Sequence, residues 1–157
     1  MTILALETSC DETAAALFDG AHGLLASEVA SQIALHRKYG GVVPEVASRS
    51  HLTQLQPMLT AALTASGLTL DGVDAVAATA GPGLATSLMI GFSAAKGMAL
   101  GLKKPFIAVN HLEGHLLSPF FPAPGEAVEE EIPASVGLIV SGGHTLLVDV
   151  AGFGAYR

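Results

Sequence analysis

Apolar and polar positions change over in short bursts at the head of the chain. Ile3 to Glu7 is an apolar run, Ser9 to Glu12 is polar, Thr13 to Phe18 is apolar again, Asp19 and Gly20 mark a turn, and Leu24 to Val29 follows. Runs of this length between turn residues predict three antiparallel strands. The period then changes. Pro44 stands where a helix would begin, and Val46, Leu52, Leu55, Leu59 and Leu63 recur at helical spacing until Gly67, which predicts a helix kinked at Pro57. Val73 to Ala80 reads as a buried strand, Gly81-Pro82-Gly83 as a tight loop, Leu84 to Leu102 as a helix ended before Pro105, and Phe106 to Val109 as a further strand. Asn110 is a good N-cap for a short helix from His111 to about Ser118, with a Pro- and Glu-rich loop running on to Pro133.

Val136 to Val150 then repeats the pattern of the first eighteen residues. With Leu4 to Thr13 set over Val136 to Thr145, an offset of 132 positions, both segments read strand, Ser, three residues, Thr, strand. Internal self-similarity of this kind marks duplicated units. We therefore expect one lobe over residues 1–134 and, at 135–157, the opening hairpin of a truncated second lobe. A complete second lobe would bring the chain to roughly twice its length.

Composition narrows the class. Half of the 157 residues are hydrophobic and 13% are charged, ample for a packed core and unlike a disordered chain. The apolar stretch Leu84 to Leu102 carries Thr86, Ser87, Ser93, Lys96 and three glycines, so it is expected to be a buried helix, with no membrane partner. The start, Met1-Thr2-Ile3-Leu4, has none of the features of a secretory signal, and the lone Cys10 cannot form an internal disulfide; a cytoplasmic location is expected. The net charge of −7, with Glu126, Glu129, Glu130 and Glu131 crowded together, makes the chain a poor binder of polyanions by itself. Arg37, Lys38 and Arg49, with His36 and His51, gather in one region that either meets phosphate locally or is a solvated loop.

The two hairpin turns carry the candidate chemistry. Ser9, Asp11, Glu12 and Thr13 in one, and Ser141, Gly142, Gly143, His144 and Thr145 in the other, offer hydroxyls, backbone N–H groups and a carboxylate at single points, a set suited to a phosphate. Gly-Gly is also an ordinary hairpin turn. Two such turns facing each other would frame a cleft of the kind nucleotides occupy. His111 and His115, four apart on the predicted helix, project from one face within reach of one ion; a satisfied structural pair is the alternative. In a metallopeptidase helix with this His spacing the general base follows the first His, where this chain has Leu112. Gly81-Pro82-Gly83 lacks the lysine of a P-loop. Cys10 is a nucleophile candidate only if it meets His144, and nothing in the sequence lowers its thiol pKa.

Read together, Glu7-Thr8-Ser9-Cys10-Asp11-Glu12-Thr13, Gly40-Gly41-Val42-Val43-Pro44-Glu45 leading to Ala47-Ser48-Arg49, Thr79-Ala80-Gly81-Pro82-Gly83-Leu84, His111-Leu112-Glu113-Gly114-His115 and Val140-Ser141-Gly142-Gly143-His144-Thr145 resemble, in wording and order, the TsaD family, formerly called Gcp or O-sialoglycoprotein endopeptidase. The resemblance implies an α/β fold of the actin, Hsp70 and sugar-kinase (ASKHA) type, with a mixed sheet, antiparallel opening hairpins and flanking helices. It implies an acyltransferase that moves a threonylcarbamoyl group from threonylcarbamoyl-AMP to N6 of the adenosine 3′ of the anticodon in tRNAs reading ANN codons. His111 and His115 would then be ligands of one divalent metal, iron or zinc, whose third protein ligand, an aspartate of the second lobe, is missing from this chain. Ile139, Val140, Ser141, Gly142 and Gly143 match the family's substrate-binding stretch, and Asp11 and Glu12 its acidic, catalytic pair. The implied partners are tRNA, a TsaB-like paralogue forming a heterodimer, and a TsaE-like ATPase. Alone, lacking a ligand and half the cleft, this chain is expected to be inactive. Two rivals stand beside this reading: a metalloendopeptidase, as the old name claims, and a non-catalytic dimerisation lobe, which should lack the His111 and His115 pair.

Overall fold

The computed structural model describes residues 1–122, 131–141 and 145–157. The first three strands, β1 (Thr2–Glu7), β2 (Glu12–Asp19) and β3 (Gly23–Ser31), form an antiparallel meander. β4 (Ala75–Gly81) and β5 (Phe106–Asn110) run parallel to β1, completing one mixed sheet of order β3-β2-β1-β4-β5. Period-two alternation puts Leu4 and Leu6 of β1 and Ala15 and Leu17 of β2 on one buried face. Two helices cover that face: α2 (Pro44–Ser66), ended by Gly67 in the left-handed region, and α3 (Ala85–Leu102). The sheet, its antiparallel opening and its flanking helices match the expected fold class.

Small residues set how closely α3 approaches. Ser87, Gly91, Ala95 and Ala99, one per turn, form its buried stripe, so its backbone lies close against the sheet. Among the described helices α3 alone has the length and apolar character to cross a membrane, but that stripe packs it against the sheet. The α2 helix continues through Pro57, and its buried positions are Ala47, His51 and Ala62, whereas Leu52 is 68% exposed. Leu55, Leu59 and Leu63 of the apolar recurrence pack against the core as expected, beside these fully buried positions, and Leu52 alone of the leucines turns outward. Where a helix lies tight on a sheet, alanine and a hydrogen-bonded histidine fill the gap that leucine would overfill.

Before α2, a short helix α1 (Ile33–His36) and a 3-10 turn over Arg37–Tyr39 fill a stretch for which no element was predicted. This region also corrects the expected basic cluster. His36 and His51 are buried inside the lobe, and Arg49 pairs with Glu45 at 2.9 Å, so the five residues form no common phosphate-facing patch.

α4 (His111–Leu117) leads into a 3-10 turn over Ser118–Phe120. Beyond it, β6 (Ser135–Val140), β7 (Thr145–Gly152) and a further two-residue strand β8 (Ala155–Tyr156) make a separate antiparallel sheet of order β6-β7-β8. One face of this sheet packs on α4 through Leu116, Ile132 and Val150, with Ile139, Val148 and Tyr156 around them. Gly137 leaves room there for the end of the Leu116 side chain, which would have to move aside for a Cβ at that position.

Candidate functional site

The site begins where β1 ends. Thr8, buried, inserts its hydroxyl into one turn of α3, donating to the Ser87 carbonyl at 2.8 Å and accepting from the Gly91 amide at 3.0 Å. A Cβ at Gly91 would lie 2.5 Å from that hydroxyl oxygen, so the docking depends on glycine there. On the other side the Gly81-Pro82-Gly83 loop presses on Ser9: the Leu84 amide donates to the Ser9 carbonyl at 2.8 Å, and a Cβ on Gly83 would fall 2.7 Å from that oxygen. The loop thus braces the turn, and the Leu84 N–H is already committed to Ser9.

Glu7 lies beneath this turn. Its carboxylate accepts from the Ser9 amide and the Thr79 hydroxyl and lies 3.8 Å from Nδ1 of His111. Burial raises its pKa, but the nearby His111 ring and the hydrogen bonds from Ser9 and Thr79 outweigh that and hold it at about 2, fully ionised at neutral pH. Cys10 is pushed the other way, up to about 11, by burial and by the neighbouring Asp11, Glu7 and Glu12. It stays a thiol, which removes the nucleophile reading; His144, its suggested partner, lies outside the described residues.

A buried polar network holds the turn from behind. The His51 Nε2–H donates to the Cys10 carbonyl at 3.1 Å, so its Nδ1 accepts from the Thr13 hydroxyl at 2.8 Å and from Gln32 at 3.3 Å. His36 Nδ1 accepts from the Val43 amide at 3.3 Å, so its Nε2–H donates to the Gln32 side-chain oxygen at 3.1 Å. The Gln32 amide donates to the Asp11 carbonyl at 2.9 Å. Both carbonyls of the Cys10–Asp11 segment are thereby fixed, and with them the backbone from which the Asp11 and Glu12 side chains project.

The two predicted histidines arrive from α4. The Asn110 side chain caps this helix, accepting from the Leu112 and Glu113 amides at 2.9 and 3.1 Å. The rings of His111 and His115 meet edge to face, and their Nε2 atoms lie 3.2 Å apart. Two imidazole nitrogens bound to one tetrahedral zinc at about 2.0–2.1 Å would be about 3.3 Å apart, so the pair fits two positions of a metal's coordination shell. Among the described residues no group of three His, Cys, Asp or Glu is arranged to hold a metal. Glu113, between the histidines, accepts a hydrogen bond from the Tyr156 hydroxyl of β8 at 2.9 Å.

Asp11, Glu12, His111 and His115 line one cleft of about 960 Å³, whose wall includes Ser141. The structure thus brings together the acidic pair, the histidine pair and one residue of the predicted substrate stretch. Ile139 packs instead into the small apolar cluster beneath α4, and Val140 is exposed on the opposite face of β6; Gly142 and Gly143 lie outside the described residues. Sequence reasoning missed Glu7, Thr8, Thr79, His51 and Gln32 as parts of the site. A charge closing an apolar strand, as Glu7 does, was the available signal.

The family model described as TsaD, tRNA N6-adenosine threonylcarbamoyltransferase, matches residues 23–157. A tRNA N6-adenosine threonylcarbamoyltransferase of Pelobacter propionicus is 51% identical over 157 residues, 100% of this chain and 44% of the relative. That of Symbiobacterium thermophilum is 53% identical over 152 residues, covering 97% of this chain and 43% of its own length. The chain spans less than half the length of these curated relatives. Among solved structures, an uncharacterised Pseudomonas aeruginosa protein with similarity to peptidase YeaZ aligns with a TM-score of 0.59 at 26% identity, over 99% of this chain and 66% of that one. Pseudomonas aeruginosa YeaZ itself aligns with a TM-score of 0.57 at 24% identity, over 99% and 65%.

Proposed function

Because the chain belongs to the tRNA N6-adenosine threonylcarbamoyltransferase (TsaD) family, we propose that the full-length protein transfers a threonylcarbamoyl group from threonylcarbamoyl-AMP to N6 of the adenosine 3′ of the anticodon in tRNAs reading ANN codons. The observation that carries this reading is the meeting of the His111 and His115 Nε2 atoms, 3.2 Å apart, in the same cleft as Asp11 and Glu12. In the reaction N6 attacks the carbamoyl carbon, a C–N bond forms, the bond from that carbon to the phosphate oxygen breaks, and AMP leaves with the electron pair. The N6 proton passes to a carboxylate, for which Asp11 and Glu12 are the candidates.

His111 and His115 would hold one divalent ion, iron or zinc; when bound it supplies Lewis-acid stabilisation of charge developing on the acyl phosphate. The chain's own groups do the rest. The His51–Gln32 network fixes the backbone under Asp11, the Gly83 and Leu84 contacts fix Ser9, and Ser141 on the cleft wall would contribute to substrate binding.

Residues 1–134 would form one lobe and 135–157 the opening hairpin of a second. A chain with a net charge of −7 needs help to hold tRNA, which supports a TsaB-like paralogue and a TsaE-like ATPase as partners in the cytoplasm. The likeness to the YeaZ structures supports a partner of the same fold.

A peptidase reading lacks its base, since Leu112 follows the first histidine and Glu113 is tied to Tyr156. A purely structural lobe would have no use for two imidazoles converging on a cleft. In the full-length protein, His111→Ala combined with His115→Ala is expected to abolish metal binding and threonylcarbamoyl transfer while leaving the unfolding transition in place. Transfer persisting in a metal-free double variant would overturn the assignment.

A further inference from the structure

The proposed reaction leaves Glu7 without a task, although its carboxylate is set into the cleft floor. Its position is fixed from two strands: it closes β1, and it is held by the Ser9 amide from the following turn and by the Thr79 hydroxyl from β4. The same oxygen that accepts from Thr79 lies 3.8 Å from Nδ1 of His111, and the Ser9 hydroxyl lies 3.1 Å from that nitrogen. The opposite side of the ring, Nε2, faces Nε2 of His115.

A neutral imidazole carries one proton, and its two nitrogens therefore have opposite roles. A carboxylate only accepts, so an Nδ1 lone pair turned toward Glu7 would be repelled, whereas an Nδ1–H is attracted. Placing the proton on Nδ1 leaves the Nε2 lone pair directed at the point shared with His115. If the proton sat on Nε2, it would occupy that point and exclude a cation from it.

We propose that Glu7 is a positioning residue: anchored by Ser9 and Thr79, it holds His111 in the Nδ1–H tautomer and so keeps Nε2 open, together with Nε2 of His115, for a divalent cation. This rests on the reading of the histidine pair given above. It predicts a division of labour within the opening motif, in which Asp11 and Glu12 face the substrate while Glu7 acts through the ring of His111.

Two measurements separate the claim from that reading. In metal-free protein labelled with 15N histidine, the ring nitrogen shifts report the tautomer directly. His111 is expected as Nδ1–H in the wild-type chain and shifted toward Nε2–H in Glu7→Gln, whose amide N–H presents a donor to Nδ1. In the second, Co2+ affinity of the full-length protein, which carries the remaining ligand, is measured by competition with a chelator. Glu7→Gln is expected to bind about 10–100-fold more weakly than wild type, and Glu7→Asp, which keeps the charge, to recover part of the loss. A wild-type His111 protonated on Nε2 would overturn the proposal without recourse to any variant, as would a folded Glu7→Gln with unchanged tautomer and unchanged Co2+ affinity. If wild-type protein failed to bind Co2+, the metal reading would fall, and the tautomer measurement would still decide for or against Glu7.

Discussion

The β1–β2 and β6–β7 hairpins share one pattern at an offset of 132 positions and end in opposite surroundings. Leu6 of β1 is 2% exposed, whereas its counterpart Leu138 of β6 is 64% exposed; Leu4 and Val136 differ in the same way. The difference lies in what covers them. α2 and α3 lie across the first hairpin, while the second has α4 on one face and solvent on the face that bears Val136, Leu138, Val140 and Leu147. A strand pattern therefore decides which side chains share a face, and the neighbouring elements decide whether that face is removed from water.

Paired substitutions sharpen this contrast. Leu6→Ala removes a fully packed side chain and is expected to cost about 2–5 kcal/mol, read as a lowered midpoint in denaturant unfolding. A loss below half that range would mean that the helices cover the first hairpin less completely than its burial shows. His51→Ala comes next, expected to cost about 2–4 kcal/mol because it strips Thr13, Gln32 and the Cys10 carbonyl of a buried partner.

His51 also gives the five-stranded sheet and its helices a pH signature that the second sheet should lack. Burial lowers its pKa, against the opposing pull of the Cys10 carbonyl and the nearby Glu7 and Asp11. The unfolded chain therefore takes up this proton first. The stability that depends on a neutral His51 is complete above the unfolded value of about 6.5 and declines as the pH falls below it. Unfolding measured from pH 8 to 5 should show this slope in wild type and a shallower one in His51→Ala; equal slopes would count against the assignment.

Gly91→Ala is expected to cost about 1–3 kcal/mol, because Thr8 is buried and branched and has little freedom to yield to the added methyl group. The smallest effect belongs to the second hairpin: Leu138→Ala should change stability by less than about 0.5 kcal/mol. A loss approaching that of Leu6→Ala would show the bare face to be covered in solution and would break the comparison.

Much of the architecture was legible along the chain. The strand runs, Pro44 and Gly67 as the limits of α2, Asn110 as the cap of α4 and the repeated hairpin all depend on local periodicity and backbone preference, which any short window of sequence carries. The His111 and His115 pair was legible for the same reason, since a spacing of four on a helix fixes their common face. The buried face of α2 was legible in part: Leu55, Leu59 and Leu63 do pack on the core, but its fully buried positions are Ala47, His51 and Ala62, and no window within α2 records how near the sheet lies. His36 and His51 looked like part of a basic surface because a sequence shows the ring but not the buried partners it hydrogen-bonds.

The opening motif shows the division most plainly. Its residues, with the other four motifs, were enough to point to the family, and chain order alone placed Asp11 and Glu12 in a turn. Only the tertiary structure gave Glu7 its neighbours, Thr79 from β4 and His111 from α4, and joined Gln32, His36 and His51 behind Cys10 and Asp11. The physical reason is range. Periodicity and capping act over a few residues, whereas hydrogen-bond partnership, burial and the pKa shifts they cause depend on distances between groups that folding brings together from far apart in the chain.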